Sequence, residues 1–192
     1  MIEPFPPTDG TPDLPPVPPS WPKVIGIISI IWGSLGLVCG GCGMAMPIMM
    51  GAFMGGQGQT LPPSMTLNPP QLIVTAIGMV GSILLIAAGG STVSRKPVGS
   101  MLHIAYALLS VPISLLATYF AWKSQGQMAQ WVLDNPSNPM AQAMSSPGQQ
   151  AGQMIGLGFG VLLGLAYPIF CLVWFGIVKK PSQMGGPPSM QD

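Results

Sequence analysis

Lys23–Gly41 reads KVIGIISIIWGSLGLVCGG, one cation followed by an uninterrupted run of apolar and small residues. A helix needs about 20 such residues to cross a hydrocarbon core about 30 Å thick. The run is also patterned. Gly26, Ser29, Gly33, Gly36, Gly40 and Gly43 recur at alternating intervals of three and four, which places them in one seam along a helix. Lipid tails are as apolar as leucine, so helices within them associate where small side chains let backbones approach. The stretch therefore predicts a membrane span with one packing face, built on Gly26, Gly33, Gly36 and Gly40.

The neighbouring sequence repeats the message. From Val24 to Ser94 there is no Asp, Glu, Lys or Arg, and only 6% of the 192 residues are charged. A soluble domain carries about 25%. Apolar stretches of spanning length fall at 24–46, 72–93, 98–122 and 154–178. The expected fold is an all-α membrane protein, an antiparallel bundle of four transmembrane helices occupying 23–178, with disordered tails at 1–22 and 179–192. Nine of the first 22 residues are proline, which favours an extended polyproline tether. That leader has Glu3, Asp9 and Asp13 and no basic start, so it does not read as a secretory signal.

Orientation follows from the cations. Lys23, Arg95, Lys96, Lys179 and Lys180 fall on one side of the predicted bundle, and Lys123 falls on the other. The positive-inside rule then places both termini in the cytoplasm, and the link SRKP makes spans two and three a tight hairpin. The outer segments at 47–71 and 123–153 are rich in Gly, Pro, Gln, Ser and Met and read as loops. Within the second, Gln127–Leu133 (QMAQWVL) reads as a short interfacial helix ending at the turn signal Asp134-Asn135-Pro136. Small residues recur on the other spans as Gly78 and Ser82, as Ala107, Ser110, Ser114, Ala117 and Ala121, and as the double GxxxG of Gly156, Gly160 and Gly164. Pro112 and Pro168 predict kinks.

The stretch KVIGIISIIWGSLGLVCGG, behind its proline-rich leader, resembles the opening span of small uncharacterised bacterial four-span membrane proteins. That resemblance implies a multi-pass protein of the bacterial inner membrane and brings no catalytic residues with it.

Candidate chemistry gathers after span one, in Val38–Pro47 (VCGGCGMAMP). Cys39 and Cys42 form a CxxC, and Met44, Met46, Met49, Met50 and Met54 follow within a few residues. Soft sulfur ligands select Cu(I), so Cys39, Cys42, Met44, Met46, Met50 and Met54 form a candidate outward-facing soft-metal site. The segment is similar to the methionine-rich stretches of copper transporters. The simpler reading is packing, because methionine is a flexible apolar filler and the chain has 15 of them. A four-span layout with an outer CxxC also resembles quinone-linked thiol oxidoreductases, but no second cysteine pair is present in an outer loop. A reactive CxxC normally sits at a helix N-terminus, and this one is expected at a C-terminal end.

His103, the only histidine, shares a helix row with Ala107, Ser110 and Ser114 and so faces the bundle. It lies about 8 Å inside the cytoplasmic boundary by helical rise. With no acidic partner in any span, it predicts a hydrogen bond to a neighbouring helix or to interfacial water. No nucleotide loop, metalloprotease motif, nucleophile elbow or carboxylate pair is present, and a net charge of +1 offers nothing to nucleic acid. The expectation is a non-enzymatic structural or interaction component without a cofactor. Its partners are the lipid bilayer and other membrane proteins or further copies of itself. Soft-metal handling is the alternative; an oligomeric passive pore or a thiol oxidoreductase comes third.

Overall fold

A computed structural model describes residues 20–55, 61–66 and 68–178, the side chains of Met54 and Gly55 excepted. Of the expected tails at 1–22 and 179–192, residues 1–19 and 179–192 lie outside the described residues, and Trp21 and Pro22 already belong to the first helix. The chain forms α1 (Trp21–Gly55), a single 3-10 turn (Pro63–Met65), α2 (Pro69–Val93), α3 (Val98–Asp134), α4 (Pro139–Met144) and α5 (Pro147–Val173). A π-helical turn, Trp174–Val178, continues from α5. α1, α2, α3 and α5 with its final turn are each long and apolar enough to cross a membrane, with mean hydropathies of 2.0, 2.4, 1.8 and 2.3 in their most apolar windows. The chain is a multi-pass, all-α membrane protein.

Three helices overrun the spans expected of them. α1 does not stop near Met46 but passes through Pro47 and ends at Gly55. Its 35 residues extend about 52 Å, far beyond the hydrocarbon thickness. α3 absorbs the stretch expected as a separate interfacial helix and ends at Asp134, at the anticipated turn signal. α5 begins at Pro147, where the side chain of Ser146 caps it by accepting from the Gln149 amide. Most of the expected outer loops are therefore helical. The physical reason is that a helix already nucleated in the membrane propagates cheaply through Ala, Met and Gln, and in α1 this extension continues past Pro47.

The seam on α1 is filled by α2. A Cβ added at Gly26 would lie 2.7 Å from the Gly89 carbonyl oxygen, and one at Gly89 would lie 2.6 Å from that of Gly26. At Gly33 it would meet Ser82 O at 2.8 Å, and at Gly36 the Ser82 Oγ at 2.5 Å. Gly40 is looser, with Met79 Cγ at 3.1 Å, and Gly43 faces open space. The two backbones are thus in close contact at Gly26 and Gly33, and side chains of α2 fill the seam at Gly36 and Gly40.

α2 turns into α3 through a Schellman motif. Lys96 N–H donates to Ser91 O and Arg95 N–H to Thr92 O, at 2.9 and 3.0 Å. Arg95 takes the left-handed position (φ 57°) that glycine usually occupies there. The turn brings Gly99 against Thr92, whose Oγ1 would sit 2.5 Å from an added Cβ. α3 then lies along α5, where the Ser114 hydroxyl donates to Gly164 O at 3.2 Å. α1 and α5 meet through large rings instead: Trp32 stacks on Tyr167 at 5.7 Å, and Trp21 meets Trp174 edge-on at 6.2 Å. Trp21 and Trp174 therefore close the basic end of the bundle, while Tyr119 and Trp122 stay exposed toward the far end, where aromatic anchors belong.

Gly33→Ala should lower stability in detergent by about 1–3 kcal/mol, because α1 and α2 must separate to admit the methyl. Gly41→Ala, in the same helix with nothing within 4 Å of the new Cβ, should be neutral or gain up to about 1 kcal/mol. Thermal unfolding of the two variants side by side measures the difference in sign.

Candidate functional site

The bundle buries one polar cluster, near its basic end, and His103 is at its centre. His103, Ser29 and Thr92 are all fully buried. They come from α3, α1 and α2, and Tyr167 joins them from α5, so every spanning helix contributes one group. The His103 Nδ1 lies 2.7 Å from the Gly99 carbonyl oxygen, one turn back along α3. A carbonyl only accepts, so Nδ1 carries a hydrogen and donates it. For the neutral imidazole, Nε2 then accepts, and the Ser29 hydroxyl 2.7 Å away is its donor. The same Ser29 oxygen accepts from the Tyr167 hydroxyl at 2.6 Å. The result is a directed chain, Tyr167 to Ser29 to His103 to Gly99 O. Ile25 O, 2.8 Å from Ser29 Oγ, shares the serine hydrogen. Thr92 donates to Ala88 O at 2.8 Å, and its oxygen stands 3.5 Å from Nδ1.

Phe175 covers the imidazole, stacked at 4.3 Å between centroids. It comes from the π-helical turn, whose wider winding follows directly on α5. Ser29 and His103 resemble the front half of a hydrolytic triad only in pairing. Behind the imidazole stands a backbone carbonyl rather than a carboxylate, and no solvent reaches either residue. The cluster is a pin that ties four helices together inside an apolar medium. Sequence reasoning found His103 and its need of a neighbouring helix, but not Ser29, Thr92 and Tyr167 as its surroundings. Ser29 does lie in the glycine seam, its Cβ 3.0 Å from a Cβ added at Gly89, and its hydroxyl reaches the cluster from there.

The sulfur residues are placed otherwise than the sequence predicts. Cys39 and Cys42 are free and exposed. They share one face of α1 with Met46 and Met49, at successive intervals of three and four, and all four are exposed. Met50 is exposed beside them. Met44 is half-buried about 200° around the helix from Cys42, against the loop that carries Ser64 and Thr66. Met54 lies on the same helix, its side chain outside the described residues. Of the expected metal ligands, Met44 is therefore turned away from the face that Cys39, Cys42 and Met46 share. Because α1 continues to Gly55, the two thiols are also mid-helix, away from either end of the dipole, and not at the C-terminus as expected. Cys171 is buried beside Tyr167 in the core of the bundle. Among the described residues, no group of three or more His, Cys, Asp or Glu is arranged to hold a metal ion.

The glycines of α5 divide. Gly164 packs near Ser114, whose Oγ would be 3.6 Å from an added Cβ. Gly156 and Gly160 are exposed and meet nothing within 4 Å. Gly148 and Gly152 continue the same four-residue spacing toward the N-terminus, equally open. No protein-family model, curated protein or solved structure matches the chain.

Ser29→Ala removes the oxygen on which His103 and Tyr167 both depend, and should cost about 2 kcal/mol. Tyr167→Phe removes one bond and should cost about 1 kcal/mol, within the range found for interhelical bonds in membranes. Because Trp32 stacks on Tyr167, tryptophan fluorescence during unfolding in mixed micelles reads both.

Proposed function

We propose that this protein is a non-enzymatic structural or interaction component of the bacterial inner membrane, with both termini in the cytoplasm, working through contacts between transmembrane helices. The observation that carries the reading is the contrast between two glycine rows. On α1 the row is consumed by α2, to the point of backbone contact; on α5 the row Gly148, Gly152, Gly156 and Gly160 is left open. Helices in lipid pair through such rows, most often at a right-handed crossing. Another copy of this chain is the occupant to test first, since an i, i+4 glycine row is complementary to itself about a two-fold axis. The polar pin supports the same reading, because its groups satisfy one another and leave no buried ionisable group open to a transport pathway.

Soft-metal handling is the second reading, favoured by the common exposed face of Cys39, Cys42, Met46 and Met49. By helical rise from Lys23, that face crosses the far boundary of the hydrocarbon near Cys42.

In mild detergent the wild-type chain should have the mass of a dimer or larger assembly. Gly156→Leu combined with Gly160→Leu should return it to a single chain without lowering the unfolding temperature of the protomer. Light scattering on the purified protein decides this, and a wild-type mass of one chain would remove the self-association reading.

A further inference from the structure

Three methionines from three separate elements line one cleft at the far end of the molecule. Between the end of α3, the short α4 and the start of α5 lies a cleft of about 490 Å³. Met128 of α3, Met144 at the last position of α4 and Met154 of α5 all line it, together with Gln125 and Gln153. A neighbouring cavity of about 290 Å³ shares Met128, Met144, Gln125 and Gln153 in its wall. No acidic or basic side chain lines either space. The three methionines are graded in depth. Met154 is 55% exposed, Met144 half-buried and Met128 only 9% exposed, the one buried methionine among the described residues.

We infer that this cleft is a binding site for a monovalent soft cation of the Cu(I) class, held by the thioethers of Met128, Met144 and Met154. A thioether is a neutral, polarisable donor, and soft sulfur ligands select Cu(I) over hard ions. The uncharged lining has no anionic oxygen for Mg²⁺ or Ca²⁺, and nothing to neutralise a second positive charge. These methionines come from α3, α4 and α5, three elements that meet at the cleft. The three rotatable bonds of each methionine let the sulfurs close on an ion. Gln125 and Gln153 add neutral carboxamide oxygens to the same wall, donors that can replace part of an ion's water. This site is separate from the exposed thiol face of α1 and needs no cysteine.

The test uses the full-length protein in micelles, titrated without oxygen with Cu(I) under ascorbate against a chromophoric Cu(I) chelator. The thiol-free chain C39S/C42S/C171S should bind one Cu(I), and X-ray absorption should show a sulfur shell. In that background M128L/M144L/M154L, which conserves volume, should weaken binding on the order of 100-fold. Met144→Leu alone, at a half-buried position that tolerates change, should weaken it about tenfold. Zn(II) should not compete. Equal affinity in the leucine variants, a nitrogen and oxygen shell, or equal competition by Zn(II) would overturn the inference. Binding lost in the thiol-free chain and kept in the leucine variants would place the metal on Cys39 and Cys42, sinking the cleft while sparing the second reading.

Discussion

The bundle depends on the backbone contact between α1 and α2. In water, burial of apolar surface would drive two such helices together; in lipid that driving force is missing, and dispersion at close range takes its place. Glycine is what makes the range close, because Gly26 and Gly89 each occupy the space a methyl would need beside the other's carbonyl. Weak Cα–H···O contacts become available at the same separation. Once α1 is fixed on α2, the four-residue turn fixes α3, and Gly99 against Thr92 keeps that turn tight.

The opposite side of the bundle is built by another principle. α1 and α5 are bridged by Trp32 on Tyr167 and Trp21 on Trp174, so bulk fills the distance that small residues abolish elsewhere. The polar pin lies where these two modes meet. From within the glycine seam the Ser29 hydroxyl reaches His103 and Tyr167, which joins the closely packed side to the aromatic side. A buried hydroxyl or imidazole in an apolar medium is costly unless its hydrogen bonds are made within the protein. Here each hydrogen in the chain from Tyr167 to Gly99 O has an acceptor, and Phe175 stacks on the imidazole. The cluster consequently adds specificity of arrangement without adding a charge.

Much of this was legible in the residues. The charge-free run, the α1 glycine seam and the inward face of His103 all follow from helical periodicity. The placement of the sulfur side chains was not, and the reason is geometric. Cys39, Cys42, Met44, Met46, Met50 and Met54 are neighbours in sequence, yet a helix distributes neighbours around its circumference, and Met44 ends on the side away from Cys42. Met128, Met144 and Met154 are far apart in sequence and become neighbours only because α3, α4 and α5 fold back on one another. The glycines of α5 show the same limit from the other direction: GxxxG marks a surface suited to contact, and only the packed bundle shows which rows are already filled.

The sequence by itself determined that four helices span a membrane, since hydrocarbon thickness fixes the length of an apolar run and the backbone must satisfy its own hydrogen bonds there. It also determined which residues on α1 permit close approach. Tertiary structure decided how far those helices continue beyond the lipid, which glycine row is filled within the bundle and which is left open, and which side chains His103 meets. Those outcomes depend on contacts between residues distant in the chain, and periodicity within a single helix carries no record of them.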